Sequence, residues 1–172
     1  MLRSRVSQLP RRRQTRVLAL LLFGSVLVYL FLSRCVFLMC EIEGDSMQPT
    51  LKDGERLLVH RWLYAVQEPQ RGNVVALQPP DDASLSVKRI IALPGETVGF
   101  DGGRIFVDGR QLHEPYISRH LQSRGGALSN NTYQVAAGCY FVLGDNRAVS
   151  VDSRHYGAVP RRSLVGPIPS VE

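Results

Sequence analysis

Arg104-Ile105-Phe106-Val107-Asp108-Gly109-Arg110-Gln111-Leu112 is the stretch from which the fold reads most directly. A short apolar run stops at Asp-Gly, and a second strand-like segment follows at once. A two-residue type I′ turn needs positive φ at both central positions, and Asp-Gly meets that need, so the stretch predicts an antiparallel hairpin. The same texture recurs outward along the chain. Arg56-Leu57-Leu58-Val59, Asn73-Val74-Val75-Ala76-Leu77, Val87 to Leu93, Thr132 to Val135 and Tyr140-Phe141-Val142-Leu143 are short apolar runs punctuated by Gly and Pro, which predicts strands. Ser118 to Asn131, with Arg124-Gly125-Gly126, lacks period and apolar content and predicts an exposed loop. The fold class expected is mainly β, with little helix and no internal repeat.

Upstream the chain changes character. Val17 to Ser33 carries no charge, and apolar residues resume after Arg34 through Cys40. A bilayer core takes roughly 17–25 residues of helix, and an arginine near one end can snorkel to the interface. Residues 17–40 are therefore expected to form one transmembrane anchor helix. The alternative is a cleavable secretory signal, whose apolar part usually runs ~7–15 residues and ends in small residues. Here the run is longer and leads into Cys40-Glu41-Ile42-Glu43, which favours a retained anchor in the lipid bilayer.

Residues 1–16 hold Arg3, Arg5, Arg11, Arg12, Arg13 and Arg16 and no acid. The positive-inside rule puts this basic tail in the cytoplasm and residues 41–172, read as one β catalytic domain, outside it. The formal net charge of the chain is +6, which those arginines alone supply, so the remainder is formally neutral. A nucleic-acid surface on the folded domain is not expected. Cys35 and Cys40 fall in the span or at its edge, leaving Cys139 alone in the soluble part, where no internal disulfide can form. Between Gly138 and Tyr140-Phe141-Val142, Cys139 reads as a buried apolar residue. No zinc-type Cys/His spacing occurs, and no metal or cofactor is expected.

Three stretches carry candidate chemistry. Gly44-Asp45-Ser46-Met47-Gln48-Pro49-Thr50-Leu51 puts a serine beside a glycine and shortly before a proline; alone it reads as a turn, and it lacks the second Gly of a Gly-x-Ser-x-Gly elbow. Lys88 stands out by composition, because only it and Lys52 are lysines among 21 basic residues. Arginine cannot act as a base, since its pKa stays above about 12. Strand alternation in Val87-Lys88-Arg89-Ile90-Ile91-Ala92-Leu93 puts Lys88 on one face with Ile90 and Ala92. A lysine desolvated there would have a lowered pKa and could take a proton from a serine hydroxyl; the alternative is an edge lysine pointing to water. Gly144 to Arg154, followed by Tyr156-Gly157, mixes two Asp and two Arg with Ser and Asn, which reads as either a hydrogen-bonded, partly buried loop or a solvated one. His60, His113, His120 and His155 are scattered, and spacing alone does not exclude a Ser-His-Asp triad.

Taken together, the segments resemble the bacterial type I signal peptidases, membrane serine proteases of the Ser-Lys dyad kind. The resemblance covers the anchor and roughly Glu41 to Pro160 and is carried by four blocks in order: Gly44 to Leu51, Arg71-Gly72-Asn73-Val74-Val75, Val87 to Glu96, and Gly144 to Gly157. Leu112-His113-Glu114-Pro115-Tyr116 adds a weaker family-like segment. The resemblance implies a domain of packed antiparallel sheets after one N-terminal transmembrane helix, and cleavage of signal peptides from exported preproteins. It implies that Ser46 attacks the scissile carbonyl and Lys88 takes its proton, without histidine or metal. It also implies that Ser150 hydrogen-bonds and orients Lys88, that Asp145, Arg147, Asp152 and Arg154 brace the site, and that Met47 and Pro49 lie on the substrate or membrane side.

The chain departs from the family in places. Where many relatives carry a serine hydroxyl for the oxyanion, two residues before the nucleophile, this chain has Gly44, so the oxyanion hole must lean on backbone N–H groups including that of Ser46. Ala148-Val149 replaces a usual Asp-Asn and Asn73 a common Asp. Three rivals stand beside this reading. They are a cytosolic SOS-repressor-like Ser-Lys autoprotease, which the span disfavours; a specialised processing peptidase, for example for pilin maturation; and an inert membrane-anchored binding module.

Overall fold

The computed structural model describes residues 11–80, 82–117 and 131–169. It separates into two units, an N-terminal helix and a β domain beginning at Phe37. Most of the expected exposed loop, residues 118–130, lies outside the described residues, as does His120.

Helix α1 spans Arg11–Val36. At about 1.5 Å per residue it is long enough for a bilayer's hydrocarbon core. Its Arg13–Leu30 window has a mean hydropathy of 1.4 and contains no buried residue. The boundaries differ from expectation at both ends. The arginines from Arg11 onward join the helix, as straight-chain residues with good helix propensity can. Phe37–Glu41 leaves it to form strand β1. In β1, Leu38 and Cys40 pack on a core cluster while Met39 is exposed. The apolar character of this stretch thus serves a sheet, and Cys40 pairs with Leu57.

The β domain contains strands β2 (Arg56–His60), β3 (Val74–Leu77), β4 (Ser86–Ala92), β5 (Thr97–Asp101), β6 (Arg104–Val107), β7 (Arg110–Gln111), β8 (Thr132–Gln134), β9 (Cys139–Leu143), β10 (Val159–Pro160) and β11 (Leu164–Pro167). Among the described residues the domain also holds two short helices, α2 (Leu63–Val66) and α3 (Ser153–Tyr156), and one 3-10 turn. All pairings are antiparallel: a β1-β2 ribbon, a five-stranded sheet in the order β10-β9-β4-β3-β11, and a four-stranded sheet in the order β7-β6-β5-β8. The hairpin forms as read, with Asp108 at φ 48° and Gly109 at φ 75° joining β6 to β7.

Three apolar clusters hold the sheets. The first, including Ile91, Val98, Phe100, Ile105, Phe141 and Leu143, lies between the five- and four-stranded sheets. The second joins Val74 and Ala76 of β3 to Leu57 and Val59 of β2. The third packs Val75 and Leu77 with Ile90, Val142 and Tyr64. Strand β3 is thus covered on both faces, which is why its sequence is a continuous apolar run rather than an alternating one. Strands β10 and β11, absent from the sequence reading, carry Pro160 and Pro167; both are edge strands, where a missing N–H breaks no ladder. Strand β5 was also unread, because Gly99 interrupts its pattern.

Strand β4 contains an irregularity that alternation does not anticipate. Ile90 pairs with Val142 and Ala92 with Phe141, so one extra residue is accommodated between them. Such a bulge flips the facing of everything beyond it. Ile90 belongs to the third cluster while Ile91 and Ala92 both join the first. Ala92 therefore does not share a face with Lys88 and Ile90 as expected.

Candidate active site

The Gly44–Leu51 stretch is a turn pinned from below. Met47 and Leu51, one helical turn apart, are each 1% exposed and insert into the second cluster, with the Leu51 N–H donating to the Met47 carbonyl at 3.0 Å. Met47 is packed in the core and also lines the groove beside Ser46; burying its large thioether stabilises the turn by roughly 1.5–3 kcal/mol. Pro49 is exposed. With Met47 held inward, the preceding Ser46 is half-buried on the border of a groove of about 580 Å³, which Leu85, Val87, Lys88, Val149 and Val151 also line.

Lys88 reaches the same groove from β4. Its Nζ and Ser46 Oγ are hydrogen-bonded at 3.0 Å, and Lys88 is only 4% exposed. Burial pushes the Lys88 ammonium below the ordinary lysine range; the Asp152 carboxylate opposes that shift and the Arg154 guanidinium adds to it. The edge-lysine alternative is thereby excluded for this geometry. A buried amine beside a serine hydroxyl can accept its proton, provided the amine is neutral. No histidine need be invoked: His155 accepts a hydrogen bond from the Asp152 N–H in the capping box of α3. Among the described residues no group of three or more His, Cys, Asp or Glu is placed to hold a metal.

The loop from Gly144 to Arg154 braces this pair, and it is the buried, hydrogen-bonded kind. Asp145 is fully buried and accepts two bonds from the next residue along β4, Arg89 Nε at 2.9 Å and Arg89 Nη2 at 2.6 Å, and one from the Thr50 hydroxyl. Asp152, also fully buried, accepts from the Gly144 N–H at 3.0 Å and from Arg154 Nε at 2.7 Å. Arg154 donates onward to the carbonyls of Arg147 and Ser150. Arg147 Nε donates to the Gly144 carbonyl at 3.0 Å. The Asn146 N–H donates to the Ser46 carbonyl at 3.0 Å, tying loop to turn. Gly144 is required by closeness: a Cβ there would collide with Ser150 Oγ and, at 2.5 Å, with the Ser46 carbonyl oxygen.

Ser150 is 3% exposed, yet its hydroxyl has no hydrogen-bond partner, so the bond to Lys88 is not formed in this arrangement. Cys139 is half-buried and packs against the first cluster. Sequence reasoning missed the parts played by Arg89, Thr50, Glu114 and Tyr116. For Arg89 a signal existed: alternation sends it to the face opposite Lys88, into a covered sheet, where an arginine needs a carboxylate.

Comparison with known proteins shows the family. Residues 15–171 match the family described as signal peptidase, peptidase S26. Signal peptidase I V of Bacillus subtilis (strain 168) is 35% identical over 158 residues, covering 86% of this chain and 93% of that protein. Signal peptidase IB of Staphylococcus aureus (strain N315) is 36% identical over 140 residues, covering 74% of this chain and 73% of that one. A crystallised signal peptidase I from Enterococcus faecalis V583 is 33% identical, with a TM-score of 0.48, over 59% of this chain and 97% of that one. With a match over nearly its whole length and relatives of this identity and coverage, the chain belongs to the signal peptidase family, peptidase S26.

Proposed function

We propose that this serine endopeptidase, which cleaves signal peptides from exported preproteins, works through Ser46 as nucleophile and Lys88 as general base. One observation carries the proposal: the buried Lys88 Nζ lies 3.0 Å from Ser46 Oγ, both lining one open groove. Neutral Lys88 takes the Ser46 hydroxyl proton as Oγ bonds to the scissile carbonyl carbon. The protonated amine then delivers that proton to the leaving nitrogen as the C–N bond breaks. Water completes the cycle: Lys88 accepts its proton while the hydroxyl attacks the ester, and returns a proton to Ser46 Oγ. The Ser46 N–H is assigned to the oxyanion, a role that backbone donors fill without a side chain at Gly44. Asp145, Arg147, Asp152 and Arg154 hold the loop, and the buried, unpaired hydroxyl of Ser150 is the group assigned to orient Lys88.

The pH profile tests the base. Because burial lowers the pKa of Lys88, the ammonium dominates below that lowered value and the amine above it. Cleavage of a precursor ending in Ala-x-Ala should therefore rise with pH through the lowered pKa. A rate flat from mildly acid to alkaline pH would count against a lysine base.

The family is membrane-associated, and α1 is the segment assigned to the bilayer, with the arginine-rich end in the cytoplasm and the β domain outside. The chain leaves α1 at Val36 and reaches Ser46 within the same short segment. A tether of that length would keep the nucleophile near the membrane in which a signal peptide's apolar segment also sits, raising its effective concentration. A reporter enzyme fused after Glu172 should be active only outside the cytoplasm; activity inside would overturn the orientation.

A further inference from the structure

One buried polar network among the described residues reaches the catalytic loop from the segment that follows β7, and its Glu114 and Tyr116 have no part in the chemistry above. The Glu114 carboxylate, its side chain 7% exposed, pairs with the Arg147 guanidinium, which is 4% exposed. The Tyr116 hydroxyl donates to Glu114 Oε1 at 2.8 Å. The Tyr116 ring lies against the Arg89 guanidinium, 3.8 Å from its carbon to the ring centroid. Each arginine then reaches the catalytic loop: Arg147 Nε donates to the Gly144 carbonyl, and Arg89 forks onto Asp145. One short segment thus grips two consecutive loop residues by separate routes.

The turn that they begin, Gly144-Asp145-Asn146, lies directly against Ser46. Gly144 abuts Ser150 and the Ser46 carbonyl so closely that a methyl would not fit, and the neighbouring Asn146 N–H holds the same carbonyl. Catalytic groups must be kept within about 0.5 Å of productive geometry. A displacement of about 1 Å can lower a rate roughly a hundredfold. Stability alone does not explain the choice of residues, since a buried ion pair is often replaceable by apolar side chains of similar volume. What apolar side chains cannot do is donate to the Gly144 carbonyl, and Arg147 can be kept buried to do so only with a carboxylate beside it. Arg89 likewise satisfies Asp145 with one edge while its face stacks on an aromatic ring, a geometry available to a planar guanidinium.

We propose that Glu114 and Tyr116 are positioning residues for the cleavage reaction, holding the Gly144-Asp145-Asn146 turn against Ser46 through Arg147 and Arg89. The inference rests on the Ser46/Lys88 reading. It is tested on the full chain in detergent with a precursor ending in Ala-x-Ala, by comparing wild type, Glu114→Gln, Glu114→Asp, the double variant Glu114→Gln/Arg147→Met, and Ser46→Ala. Glu114→Gln should lower kcat about 10- to 100-fold and leave KM within about threefold, as expected for a group that aligns rather than binds. Glu114→Asp, which keeps the charge, should recover part of the loss. The double variant buries no unpaired charge, so it should melt close to wild type yet keep a low kcat, because nothing donates to the Gly144 carbonyl. Tyr116→Phe should show a smaller loss of kcat, since the ring on Arg89 remains.

A wild-type kcat in Glu114→Gln, or a double variant that regains full kcat with its stability, would reduce the network to a brace and overturn the proposal. So would a loss that merely tracks the folded fraction. Ser46→Ala separates the two readings. If it is inactive while Glu114→Gln turns over normally, only the positioning role falls; if Ser46→Ala still cleaves, the dyad assignment falls and takes the positioning role with it.

Discussion

Lys88→Met should abolish cleavage while making the protein more stable. Loss of the base is expected to lower kcat at least about a thousandfold, or about 4 kcal/mol at 1.36 kcal/mol per tenfold. Ser46→Ala should be as severe, and the double variant no worse than either single one, because the two groups act as a unit. Lys88→Arg keeps the positive charge but offers no base, so it too should be inactive; normal turnover by that variant would show that Lys88 is not the base. The stability gain comes from the burial that lowers the Lys88 pKa. Between the lowered value and the ordinary 10.5, the unfolded chain binds more protons than the folded one, so stability rises with pH across that window. Below the window the folded protein carries the whole penalty of a buried ammonium. Methionine has a similar shape and no charge, so its melting temperature should exceed wild type most clearly below the window, and the advantage should vanish above the ordinary lysine value. Melts followed across that pH range check the sign; a destabilised Lys88→Met at neutral pH would mean that the amine is better solvated than its 4% exposure implies.

Asp145→Ala is expected to be the most destabilising single change near the site. Asp145 is fully buried, and Arg89, which forks onto it, is 8% exposed. Removing the carboxylate strands that guanidinium, and breaking one partner of a buried pair typically costs about 3–5 kcal/mol. For a domain of this size that corresponds to a fall in melting temperature of roughly 10–20 °C. Asp145→Ala/Arg89→Met removes both charges and should recover most of the stability. By contrast, the Arg56–Glu41 pair spans β1 and β2 at 3.2 Å with side chains 74% and 55% exposed, and Arg56→Ala should change stability by less than about 1 kcal/mol. Thermal unfolding of the three variants decides the matter; equal effects at the two pairs would show that burial does not govern the worth of the Asp145–Arg89 pair.

Local chemistry explains why some features could be read in advance. The Asp108-Gly109 turn needs nothing beyond its own two residues, and the scarcity of lysine made Lys88 conspicuous without any knowledge of its neighbours. The runs around β2, β3, β4, β6 and β9 read as strands because their apolar residues are bounded by turn residues. Misreadings arose where one property has two causes. Phe37 to Cys40 is as apolar as the helix before it, yet it packs in a sheet.

The order of residues by itself determined a mainly β domain behind one apolar helix, which follows from composition, turn preference and periodicity acting over a few residues. The scarcity of lysine made Lys88 a candidate, and the resemblance to the signal peptidases implied the pairing with Ser46. Only the tertiary structure decided that β4 bulges at Ile91, that Arg89 and Asp145 meet across the fold, and that Glu114 and Tyr116 reach the catalytic loop. The reason is physical: a buried charge is tolerable only where a distant segment supplies its partner, and which distant segment arrives is set by how the sheets stack, a property that no local stretch encodes.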